Sequence, residues 1–210
     1  MTIHVLVVGR RARDRRIAND EEILAVAALS ATQAFPHSQV FFVESCDSPT
    51  LLVQTVRKIV VQHGLIDTLD LYDHGAGGAL QMGDALLFAG HEDNNGLNVA
   101  ANLRPLLAKG ARLRLLGCDT AVGHAGQRLL KQLHEVFGGD VTVYGTIAAI
   151  TLSQFDEYGF KRKYFEELYL YSSLEANRDE PMNRLPPTFD ERDNELIAWG
   201  KEQRRILGFT

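Results

Sequence analysis

Cysteine is scarce: the chain carries two, Cys46 and Cys118. Two cannot form a disulfide framework, so a reducing, cytoplasmic setting is the simpler expectation. Basic charge is not in excess either. The formal net charge is -5, which excludes a general nucleic-acid-binding surface, since that needs a cationic face. Long hydrophobic runs are missing. None approaches the roughly 20 residues that cross a bilayer, and residues 1–9 lack the basic start and long apolar stretch of a secretory signal. The chain has no internal repeat and no low-complexity tract. EF-hand spacing is absent from the acidic run His91-Glu92-Asp93-Asn94-Asn95, which reads as a polar loop, and no metal and no cofactor is expected.

What is present is an ordinary globular composition, 45% hydrophobic and 23% charged over 210 residues, enough for one domain with a substantial core. Apolar runs of strand length alternate with stretches of helical period. Residues 3–8, 40–43, 68–72, 113–116 and 141–144 read as strands. Helices are expected over 23–31, from Ser48-Pro49 to Gly64, over 97–108 with a kink or early stop at Pro105, and over 126–137 before Gly138-Gly139. Residues 79–83 read as a short hairpin arm. Repeated strand-helix-strand order implies an α/β fold with a mainly parallel sheet and helices on both faces. Residues 1–172 are expected to form that domain. Residues 173–210 read as a polar linker followed by a helix around Trp199 that is packed on the domain or appended to it.

Two of these strands end in reactive side chains. Leu69-Asp70-Leu71-Tyr72-Asp73-His74-Gly75 stops at an imidazole, and Leu113-Arg114-Leu115-Leu116-Gly117-Cys118-Asp119 stops at a thiol. A thiol becomes a useful nucleophile when a base raises its thiolate fraction, and imidazole is the usual partner. Open α/β sheets bind ligands beyond the carboxyl ends of their strands. Adjacent parallel strands lie about 4.8 Å apart, so loops leaving the same end would hold the two groups close together. His63-Gly64 repeats the His-Gly pair, but at a helix end, where glycine is an ordinary stop signal. Cys46 reads as structural, and His124 and His134 as residues of a helix face.

On these motifs the chain resembles the caspase-like cysteine peptidases, the clan of caspases, metacaspases, gingipains and toxin self-cleaving domains. In that clan one hydrophobic strand ends in His-Gly and a second ends in the catalytic Cys. The resemblance covers residues 1 to about 150 and implies a single caspase-like domain of flavodoxin-like topology. It implies a thiol protease in which Cys118 is the nucleophile, His74 the base or proton donor, and the N–H groups of Gly75 and Cys118 the oxyanion hole. The reaction implied is endopeptidase hydrolysis of a protein or peptide substrate through a thioester, with no cofactor.

Substrate selection stays open at this level. The loop after the first strand carries five arginines in Arg10-Arg11-Ala12-Arg13-Asp14-Arg15-Arg16. In caspases an arginine of this loop helps to bind an aspartate before the scissile bond, which makes Arg10 and Arg16 candidates; guanidinium matches carboxylate through paired hydrogen bonds. Leu116, two positions before the thiol, points instead to an apolar P1 residue, as in the toxin domains. Asp119 is a further candidate carboxylate. The nucleophile block Leu116-Gly117-Cys118-Asp119 departs from the Gln-Ala-Cys type of caspases. Two other readings compete: a catalytically silent caspase-like module that binds a regulatory protein, and a flavodoxin-like ligand binder. The second is weakened because arginines stand where a Gly-rich phosphate loop would follow the first strand.

Overall fold

A computed structural model describes residues 2–9, 38–90, 96–150, 154–156, 159–160, 163–164, 169–171 and 193–206. The helix expected over 23–31, the arginine run containing Arg10 and Arg16, the acidic run 91–95 and the linker after 172 lie outside these residues. Five strands pair in parallel in the order β2-β1-β3-β7-β8: β1 (Thr2–Gly9), β2 (Ser38–Cys46), β3 (Ile66–Tyr72), β7 (Leu107–Leu116) and β8 (Thr142–Thr146). A sixth strand, β11 (Tyr169–Tyr171), joins the β8 edge antiparallel. The chain is therefore α/β with a mainly parallel sheet.

Helix α1 (Pro49–His63) starts where the Ser48 side chain accepts from Leu51 N–H, with proline at its first position, and stops at Gly64, whose φ is 106°. Helix α2 (Gly96–Leu103) is shorter than the sequence pattern predicts. Pro105 has no N–H to extend an α-helix, so the chain tightens into a 3-10 turn over Arg104–Leu106 and enters β7 at once. Residues 107 and 108, expected in the helix, are thus strand. Helix α3 (Gly123–Phe137) ends at Gly138 in the left-handed conformation. The expected hairpin arm is larger than predicted, a three-stranded antiparallel sheet of β4 (Gly75–Ala76), β5 (Ala79–Met82) and β6 (Ala85–Ala89). A separate hairpin is formed by β9 (Phe155–Asp156) and β10 (Gly159–Phe160).

Strand alternation divides the side chains between two faces. Val5, Val7, Leu69, Leu71, Leu113, Leu115 and Val143 meet Leu52 and Val56 of α1, Ala100 and Leu103 of α2, and Leu129, Leu130 and Leu133 of α3 in one continuous core. The opposite face is also buried, with Leu6, Tyr72 and Leu116 almost wholly covered. The last helix, α4 (Asp193–Ile206), packs Leu196, Ile197 and Trp199 against the core, and its Arg204 donates to the Tyr169 carbonyl. Among the described residues no helix is long and apolar enough to cross a membrane.

Three charged or polar groups sit inside the second face. Asp70 of β3 accepts from Arg114 of β7 through Nε at 2.5 Å and through the terminal NH2, and pairs with His4 Nε2 of β1 at 2.7 Å. Burial alone would raise the Asp70 carboxyl, but the Arg114 guanidinium, then His4, outweigh it and hold it well below the ordinary carboxylate range. A buried ion pair is a weak source of net stability, yet removing one partner strands the other charge. Asp70→Ala is expected to cost about 3–5 kcal/mol in denaturant unfolding, and replacing Asp70 and Arg114 together by apolar residues to recover most of that loss. Because the folded carboxyl is depressed, its contribution is complete above the unfolded value of about 4. Melting temperature should therefore fall as pH drops below that point, and Asp70→Asn should flatten the dependence.

Candidate functional site

Registration of β3 against β7 sets the site. Tyr72 pairs with Leu116 as the last partners of the two strands, and His74 and Cys118 each follow two positions later. Both turns therefore leave the carboxyl edge of the sheet at the same height. Their backbones touch. A Cβ added to Gly75 would lie 2.5 Å from Cys118 O and 2.6 Å from Cys118 N, and one added to Gly117 would lie 3.0 Å from Gly75 Cα. Only glycine permits this approach. The structure thus sets the turn of His74 and Gly75 against the turn of Cys118, main chain on main chain.

The turn after β8 completes the group. Cys118 Sγ accepts from Ile150 N–H at 3.4 Å and donates weakly to Ile150 O at 3.9 Å. Asp119 N–H donates to Ala148 O, and Thr146 Oγ1 donates to Gly117 O. Thr120 and Thr146 exchange further bonds, with Thr146 N–H reaching Thr120 Oγ1 at 2.9 Å. These tie the cysteine turn to β8. Burial pushes the Cys118 thiol up, the Ile150 N–H works against that rise, and the neighbouring Asp119 charge adds to it. In this conformation the thiol is held mostly neutral.

Asp119 takes a left-handed backbone, φ 55°, which is uncommon for a residue with a Cβ. Its carbonyl accepts from Gly78 and Val122 N–H, and its Oδ1 is buried with no hydrogen-bond partner among the described residues. Burial raises its carboxyl. Leu116 is almost wholly buried beside Tyr72, so it packs within the sheet and lines no open surface as the chain stands. Arg10 and Arg16 lie outside the described residues.

His63, His124, His134 and the second cysteine are elsewhere. His63 ends α1 immediately before β3 begins, at the amino edge of the sheet, where its ring meets that of Phe41 at a tilt of 42° with centroids 4.4 Å apart. His124 opens α3 on the surface, and His134 lies near its far end beside Gly139. Cys46 is fully buried, donates to Ser48 O, and has its thiol raised to about 11 by burial.

Sequence reasoning missed Asp73, Thr120, Thr146 and Ile150. The threonines and Ile150 leave no local signal, since each acts across a gap of more than 25 residues. Asp73 has a faint one, an acidic residue closing a buried strand just before His-Gly. Its Oδ1 accepts from His74 N–H and its Oδ2 from Gly83 N–H, both at 2.6 Å.

The fold and this site define an α/β protein whose polar, thiol-bearing cluster lies at the carboxyl edge of a mainly parallel sheet. The chain belongs to the family described as a domain of unknown function, DUF4347, which it matches over residues 19–147. That span contains both His74 and Cys118. No curated protein and no solved structure matches the chain.

The two thiols are expected to differ in reactivity. Iodoacetamide should label Cys118 in the native protein at a rate that climbs with pH and has not levelled off at the ordinary thiol value of 9.0. Cys46 should label only on unfolding. Mass spectrometry of quenched digests reads both.

Proposed function

We propose that this protein is a caspase-like cysteine endopeptidase in which Cys118 and His74 hydrolyse a peptide bond. The observation that carries this reading is the backbone contact of Gly75 with Cys118, which sets the imidazole-bearing turn directly against the thiol-bearing one. The order β2-β1-β3-β7-β8 with an antiparallel edge strand is compatible with a caspase-like topology.

The reaction follows from the groups at that edge. Cys118 Sγ attacks the scissile carbonyl carbon while its proton passes to His74. The developing oxyanion is met by main-chain N–H groups of Gly75 and Cys118, a contribution typically worth about 3–4 kcal/mol in the barrier. His74 then gives its proton to the leaving amine, and a thioester remains. Water adds to the thioester with His74 as base, and the acid and thiol are released. Ile150 N–H and O are both bonded to Sγ, so a peptide pairing with that main chain would displace the thiol's hydrogen bonds. A protein or peptide is the substrate class of this reading.

One observation favours a second reading. The thiol is raised by burial and engaged by Ile150, which suits a catalytically silent module that binds a regulatory protein. Labelling by a thiol-reactive peptide distinguishes the two, because an enzyme labels at Cys118 in a His74-dependent way.

The direct test is a peptide library varied at P1. Cleavage is expected, with acidic and apolar P1 residues as the two outcomes to separate. Cys118→Ala and His74→Ala should each lower kcat/KM by roughly a thousandfold or more without changing the melting temperature. Wild-type rates in either variant would overturn the reading.

A further inference from the structure

We propose that Asp73 is the positioning residue of the site, fixing His74 against the cysteine turn and fastening the β4–β6 arm to the sheet; the inference rests on the peptidase reading of His74 and Cys118. Asp73 follows β3 directly and is 5% exposed. Each carboxylate oxygen takes a main-chain N–H: Oδ1 from His74 and Oδ2 from Gly83. Gly83 forms the β5–β6 turn with φ 63°, so one side chain ties the sheet, the histidine and the tip of the arm together.

Two further features belong to the same device. The His74 carbonyl accepts from Gln81 N–H at 2.9 Å. Both main-chain polar groups of His74 are thereby bonded, one to Asp73 and one to the arm that Asp73 anchors, so its peptide planes cannot turn independently. Gly75 follows at once and pairs with Leu80 while lying on Cys118. The carboxylate also needs space at the end of β1. A Cβ on Gly9 would stand 1.7 Å from Asp73 Oδ2, so glycine at position 9 admits the anchor.

An anchor of this kind acts on the reaction through geometry. It acts through His74, and a displacement of about 1 Å in a general base can cost 100-fold in rate. Asp73→Asn keeps the shape but has one acceptor oxygen, and its NH2 would face a main-chain N–H. One of the two bonds must fail.

The test uses the full chain and the peptide best cleaved from the P1 library. Asp73→Asn is expected to lower kcat by roughly 100-fold with KM within about threefold. The His74 ring resonances should shift, and the His74 and Gly83 amides should lose protection from hydrogen exchange. Wild-type kcat, or a rise in KM with kcat unchanged, overturns the proposal. If the wild-type protein cleaves no peptide, the peptidase reading fails by itself, and unmoved ring resonances with unchanged amide protection in Asp73→Asn would overturn the anchor separately. Should Asp73→Asn not fold, exchange in the wild type decides: slow His74 and Gly83 amides support the anchor, and unprotected ones overturn it.

Discussion

Parallel pairing of β3 with β7, in the register that sets Tyr72 opposite Leu116, is the constraint on which the rest of the site depends. A shift of one residue in either strand would turn its core leucines to the other face. It would also put His74 and Cys118 at different heights and break the glycine contact between the turns. The register is held from both sides. Leu69, Leu71, Leu113 and Leu115 are wholly buried toward the helices, while Asp70 and Arg114 are locked together on the other face. A charged pair in a dry sheet contributes little net stability, but it strongly disfavours registers that leave either partner unpaired.

Close packing of backbones then does what side chains could not. At Gly75 and Gly117 the two turns touch through main-chain atoms, and at Gly78 and Gly90 the arm meets the first turn of α3, where an added Cβ would overlap Ala125. These contacts leave little room for the turns to slide. The thiol of Cys118 and the imidazole of His74 are thus carried on turns that the sheet fixes, which is what the proposed reaction asks of its groups.

The thiol is poised differently from a fully activated nucleophile. Burial raises it, and its hydrogen bonds run to Ile150 in the turn after β8. Nucleophilic strength in the proposed reaction must come from proton transfer to His74 as the substrate arrives. Asp119, adjacent and partly buried, works against the thiolate. The same turn therefore holds the sulfur in place and restrains its charge.

Local pattern was enough to set out the alternating strands and helices, a break in the helix at Pro105 left open between kink and early stop, and the ending of two buried runs in His74 and Cys118. Those features depend on neighbours a few residues away, and the 2.0 and 3.6 periods record them directly. The extension of β7 back to Leu107, the three-stranded arm and the antiparallel β11 were not legible, because pairing partners decide them. Asp70 and Arg114 look in sequence like ordinary charged positions of alternating strands. Only a fold that brings together residues 44 apart makes them a buried pair. Asp73, Thr146 and Ile150 acquired their roles in the same way. The sequence by itself determined that two buried strands end in an imidazole and a thiol, and tertiary structure decided which turns meet, since contacts between distant segments leave no periodic trace.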